Sequence, residues 1–174
     1  MKKVCAWCGK DMGVHPSEDN SERMITHGMC EECINNVFAG SRIELGTFLD
    51  TFAAPVLVVD ETACVITANK QARMLFHKDL PDIEHLEPGD VFECAYAKLP
   101  AGCGKTIHCD GCTIRNTIMD TLQSGKSHLK TPAYLHTGTP DDCTKIDLLI
   151  STERVKGVVM LRIEIVGSNE KTQR

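Results

Sequence analysis

Pro55-Val56-Leu57-Val58-Val59-Asp60, followed closely by Val65-Ile66-Thr67-Ala68-Asn69, is the stretch on which the fold turns. Val56 to Val59 reads as a buried strand and Asp60-Glu61-Thr62 as a turn. Cys64 to Thr67 is its hairpin partner, because β-branched residues on both sides suit a pleated surface. Asn69 then caps a short helix, Lys70 to Phe76.

Upstream, Ser41-Arg42-Ile43-Glu44 is a capping box, in which serine and glutamate side chains satisfy orphan amides at a helix start. Leu45, Phe48, Leu49 and Phe52 follow at helical spacing until Pro55 forces its predecessor out of the α region, which predicts a helix over 42–53. Downstream, a polar stretch marked by Pro81, Pro88 and Gly89 runs into four cysteines. Ile114, Ile118 and Leu122, closed by Gly125, predict a helix over 113–123. Three alternating runs, 127–136, 145–154 and 157–166, are broken by Gly138-Thr139-Pro140-Asp141 and by Lys156-Gly157 and read as a three-strand antiparallel meander. A polar tail, 168–174, closes the chain.

The chain's 174 residues, with 42% hydrophobic content and 5% aromatics, suit one domain of ordinary size plus a small module and exclude a large multidomain enzyme. Its 24 acidic side chains against 19 basic ones, a net charge of -5, leave no basic footprint for nucleic acid. Within residues 1–40, Lys2, Lys3, Lys10 and Arg23 face six acidic residues, which argues against a zinc-ribbon nucleic-acid adaptor. No apolar run approaches the roughly 20 residues of a membrane span, and no apolar signal region follows Met1-Lys2-Lys3. A cytoplasmic protein is the expectation.

Ten cysteines dominate the chemistry, since spaced pairs in a reducing compartment hold metals or carry redox reactions. Cys5-Ala6-Trp7-Cys8 and Cys30-Glu31-Glu32-Cys33 are two CxxC knuckles separated by 21 residues, a pattern expected of structural zinc. Four thiolates close the tetrahedron and leave no position for substrate. His27 is then a neighbour rather than a ligand, and Trp7 a lid over the metal or a contact to the rest of the protein.

Cys94, Cys103, Cys109 and Cys112 follow at spacings of eight, five and two intervening residues, with Gly102, Gly104 and Gly111 permitting tight turns. These four can hold zinc or an iron-sulfur cluster, and spacing alone does not choose. A redox pair competes, because Cys109 and Cys112 stand at a helix start, where the dipole favours thiolate. Gly104-Lys105-Thr106 is not a P-loop, because its first glycine would fall at Leu99 with no strand before it. Thr113, where histidine would be needed, excludes c-type haem attachment at Cys109 and Cys112. His108 is expected outside the ligand shell, Cys64 in a strand core, and Cys143 in a loop.

The phrases Pro55 to Asp60 and Val65 to Asn69, the Ala72 to Phe76 helix and the closing meander resemble the PAS family of sensor domains over roughly residues 44–166. The resemblance implies an α+β fold: a five-stranded antiparallel sheet with helices on one face forming a cavity, used for sensing and dimerisation. The Thr26-His27-Gly28-Met29-Cys30 phrase is similar to a cysteine-rich segment of bacterial signalling proteins, with Thr26 and Met29 replacing the usual serine and isoleucine.

The expected organisation is a zinc-ribbon-like module over 1–40, a connecting amphipathic helix over 41–54 and a PAS-like domain over 55–167 with a cysteine-rich insertion at 94–112. The expected function is a non-enzymatic bacterial sensor module, responsive to redox state or metal through the second cluster. Its cofactors would be zinc and a second zinc or iron-sulfur cluster. It would signal as a homodimer or through a partner such as a sensor kinase, since no output domain follows. The alternative is a thiol-disulfide oxidoreductase using Cys109 and Cys112, although the usual βαβ setting and a general base are missing.

Overall fold

The computed structural model describes residues 2–5, 8–14, 25–33 and 42–168. The chain divides into two compact units, 1–52 and 53–174.

In the first unit, β1 (Lys2–Cys5) is the central strand of a three-stranded sheet, flanked by β2 (Asp11–Val14) and β3 (Ile25–Gly28). It pairs antiparallel with β2 and parallel with β3, Cys5 standing opposite Gly28. Helix α1 (Arg42–Leu49) ends four residues before the 42–53 expectation. The backbone tightens there: the Thr51 amide donates to the Phe48 carbonyl and the Phe52 amide to that of Leu49, both three-residue bonds. Phe48 and Leu49 are fully buried within the single chain, and Phe48 packs edge-on against Phe52 at 5.2 Å. Ser41, which begins the expected capping box, and Trp7 lie outside the described residues.

The second unit is a five-stranded antiparallel sheet, as expected. Its strands are β4 (Val56–Val59), β5 (Val65–Ala68), β6 (His128–Gly138), β7 (Cys143–Val155) and β8 (Val158–Ser168), in spatial order β5-β4-β8-β7-β6. The interior strand β4 pairs with β5 by a local turn and with the central strand β8 across a long sequence separation, Val56 opposite Arg162. Every β4 side chain is buried, which explains its unbroken apolar run. Leu57, Val59, Leu135, Ile150 and Leu161 form one side of the core. The helices cover it through Ala72 of α2 (Lys70–Phe76), Val91 of α3 (Pro88–Val91), and Ile114 and Ile118 of α4 (Thr113–Ser124).

Local chemistry sets the boundaries. Asn69 caps α2, its Oδ1 accepting from the Ala72 amide at 2.9 Å. Gly125 closes α4 at φ 73° with its amide on the Thr121 carbonyl. The meander strands run about two residues beyond the expected ends, because Thr137 pairs with Thr144 and Gly138 with Cys143. Gly138 is needed at that tip: a Cβ there would lie 2.5 Å from the Asp142 carbonyl oxygen. The β7-β8 turn takes positive φ at both Lys156 and Gly157, a pattern that matches the strand twist.

Two cysteine placements differ from expectation. Cys143 opens β7 instead of lying in a loop, and Cys64 precedes β5, half-buried, while its neighbour Ala63 enters the core. Within the polar stretch, 3-10 turns at Leu80–Asp82 and Ala95–Lys98 flank α3. Lys78 Nζ donates to the Asp90 and Val91 carbonyls at 3.1 and 3.2 Å and holds the end of that short helix.

The β4-β5 turn is built on one carboxylate. Asp60 Oδ1 accepts from the Thr62 amide at 2.8 Å, the Thr62 hydroxyl at 2.6 Å and the Cys64 amide at 3.0 Å. Burial would raise its pKa, yet these donors outweigh it and hold the carboxyl below the ordinary value of 3.8. A depressed carboxyl stabilises the fold above its unfolded pKa and stops doing so as pH falls through the folded value. Asp60→Ala is therefore expected to lose about 1 to 2 kcal/mol at neutral pH. Urea melts of parent and variant should converge as pH drops below about 4; a gap that stays constant into acid would refute the charged-acceptor role.

Candidate metal centres

The first centre grows from the sheet of the first unit. Cys5 ends β1, and the chain turns back through Cys8 with the Gly9 amide on the Cys5 carbonyl at 2.9 Å and the Cys5 amide on the Lys10 carbonyl at 2.8 Å. Gly9 takes φ 72°, the left-handed conformation this turn requires. The parallel pairing of β1 and β3 brings Met29 and Cys30 beside Cys5, and a short helical turn over 31–33 delivers Cys33. The four sulfurs of Cys5, Cys8, Cys30 and Cys33 all lie within 4.8 Å of one another.

Cys8 and Cys30 Sγ are 3.7 Å apart. Zinc-sulfur bonds of 2.3 Å give a tetrahedron edge of about 3.8 Å, so the spacing fits one ion. Cys5, Cys30 and Cys33 are buried and Cys8 faces solvent. The Cys30 amide donates to Cys5 Sγ at 3.3 Å, and Lys10 reaches Glu32 at 3.2 Å across the two knuckles. Burial, followed by the neighbouring thiols of Cys30, Cys8 and Cys5, pushes the Cys33 thiol up. The Cys33 thiol holds its proton until a cation compensates the charge. The donor set is all thiolate, which suits zinc and leaves no open position.

The second group stands in the other unit, around a cavity of about 220 Å³ lined by Cys94, Cys103, Cys109 and Cys112. Cys94 is fixed by a bridge to Thr137 of β6. Cys103 packs so closely on Gly89 of α3 that a Cβ at that glycine would lie 2.5 Å from its sulfur. Cys109 Sγ accepts from the Gly104 amide at 3.1 Å and lies 3.2 Å from the Thr106 hydroxyl. Cys112 is the N-cap residue of α4, and its side chain makes no capping bond.

The four expected ligands line one cavity, but they are not gathered into a single-ion group as Cys5, Cys8, Cys30 and Cys33 are. Burial raises Cys103 to about 11 and also raises Cys112. Burial acts the same way on Cys109, but Thr106, Gly104 and the Arg115 charge outweigh it and hold that thiol low.

Sequence reasoning missed the aromatic wall of this cavity. Tyr96 stacks on His108 at 3.8 Å with rings 9° apart and meets His136 at 5.2 Å. Burial, then Lys145 and His108, lowers the His136 pKa. The residues come from a 3-10 turn, a loop and β6, and no linear motif joins them. His108 thus stands in a ring stack on the wall of the cavity that the four thiols line.

Among the described residues, no helix is long and apolar enough to cross a membrane. No protein-family model matches the chain, and no curated protein matches it. Solved structures similar to it include the PAS domain of nitrogen regulation protein NR(II) from Vibrio parahaemolyticus, with 12% identity, a TM-score of 0.43 and coverage of 73% of this chain and 100% of that one. A LOV protein from Rhodobacter sphaeroides is similar at 14% identity and a TM-score of 0.47, covering 71% of this chain and 65% of that one. The photoactive yellow protein domain of the sensor histidine kinase Ppr from Rhodospirillum centenum is similar at 10% identity and a TM-score of 0.43, covering 75% and 98%.

Proposed function

We propose that the chain is a metal-bearing sensor module in which Cys5, Cys8, Cys30 and Cys33 hold a structural zinc and the PAS-like unit reports the state of its cysteine-lined cavity to a signalling partner. The observation that carries this reading is the position of the second thiol group at the first turn of α4. Cys112 opens that helix, and Ile114 and Ile118 run from it into the sheet core. A change in ligation or oxidation at the cavity therefore acts on an element packed against the sheet.

The test is amide exchange on the parent and on Cys109→Ser, each with zinc at the first centre confirmed. Exchange of α4 amides is expected to quicken by roughly ten- to hundredfold, a loss of about 1 to 3 kcal/mol of local stability. The change should be confined to about residues 94–124. Unaltered exchange would remove the sensor role from the cavity. The low Cys109 thiol supports the competing oxidoreductase reading. That reading requires turnover of a small disulfide substrate, and the sensor reading expects none.

A further inference from the structure

The two thiol groups differ in how they are gathered. At the first centre, Cys8 and Cys30 stand 3.7 Å apart, the separation a single ion imposes. The second four line a cavity of about 220 Å³ and are not gathered into a single-ion group like the first four. One zinc ion would leave most of that volume unfilled. A cubane of four irons and four sulfides places its own bulk between its thiolates, and a roomy cavity walled by four cysteines is the shape it needs.

The surroundings agree with that occupant. All four donors are sulfur, the soft set that iron-sulfur centres take. An all-thiolate cluster carries net negative charge, and hydrogen bonds to its sulfurs stabilise it. Cys109 Sγ has the Gly104 amide at 3.1 Å and the Thr106 hydroxyl at 3.2 Å. The Arg115 guanidinium lies against Gly104, within 2.5 Å of where a Cβ would be, and lines the same cavity. Apolar residues Phe92, Ile114, Ile118 and Leu135 form an adjoining pocket that shares Cys94, Cys103 and Cys112, which limits water at the sulfurs.

We propose that Cys94, Cys103, Cys109 and Cys112 ligate a four-iron, four-sulfide cluster, each thiol giving up its proton as its sulfur binds one iron. This rests on the sensor reading above and names the cofactor of that site.

The test uses the full chain purified without oxygen, analysed as isolated and after reconstitution with ferric iron and sulfide, a thiol reductant supplying the two electrons that take four ferric ions to two ferric and two ferrous. About four irons and four acid-labile sulfides per chain are expected beside one zinc, with broad visible absorption that dithionite bleaches. Cys109→Ser and Cys94→Ser should each lose at least tenfold in iron and sulfide while keeping the zinc. Cys64→Ser, outside the cavity, should keep the cluster. Circular dichroism identifies any variant that fails to fold, and the parent's iron and sulfide content decides the matter regardless. Two zincs and no sulfide after reconstitution would overturn the cluster and leave the metal-bearing sensor standing. One zinc, no iron and a disulfide among these four cysteines would overturn the cluster, and the sensor reading would then stand or fall on the α4 exchange test.

Discussion

A chain carrying Cys5→Ser together with Cys30→Ser is expected to lose one zinc per molecule and the folded state of its amino-terminal module. Structural zinc in small modules contributes on the order of 10 kcal/mol or more to folding. The sheet β2-β1-β3 has strands of only four residues, and among the side chains described there the buried apolar ones are few beside the cysteines themselves. Amides of β1 and β3 should lose protection, whereas the second unit, with its own core over β4 to β8, keeps its own. Metal analysis paired with residue-resolved exchange reads both effects. A zinc-free variant that still protects β1 amides would show that the thiols are ordinary packing residues.

The second large effect is expected from Asn69→Ala. Asn69 is fully buried; its Oδ1 accepts from the Val56 and Ala72 amides, each at 2.9 Å, and its Nδ2 donates to the Ala54 carbonyl at 2.9 Å. One side chain thus ties the entry of the interior strand β4 to the start of α2. Removing it leaves buried donors unpaired, at about 1 to 3 kcal/mol each, so a total loss of roughly 3 to 5 kcal/mol is expected. Thermal melts should shift down by about 10 to 20 °C. Asn69→Asp keeps the acceptor for both amides but loses the donor to Ala54 while adding a buried charge. A melt for Asn69→Ala within a few degrees of the parent would show that water replaces these bonds.

Asn69 also shows what is readable from one sequence. Its capping role follows from residue type and position before a short apolar helix, and α4 follows from Ile114, Ile118, Leu122 and Gly125. The meander is readable because alternation and turn residues agree. The strands of the first unit are not, because four residues each carry too little alternation to announce a strand. Nor is α3, four residues long, which depends on Pro88 at its start and on Lys78 reaching its end across sequence. Cys64 and Cys143 were misplaced for a smaller reason: each lies at a strand edge, where register and turn geometry decide by one or two residues. The spacing of Cys94, Cys103, Cys109 and Cys112 brings them to one cavity, but their placement around it rests on contacts with Gly89, Thr106 and Thr137, which no spacing rule contains.

The pairing of β4 with β8 has a consequence for biosynthesis. Val56 leaves the ribosome about a hundred residues before its partner Arg162. The β4-β5 hairpin and α2 can assemble early, yet the centre of the sheet stays open along one edge until the final strand emerges. Loop closure of that length slows folding, and an unpaired apolar strand is prone to join another chain. A ribosome that stops after β7 therefore releases no smaller working domain, only a sheet with its middle seam unsewn.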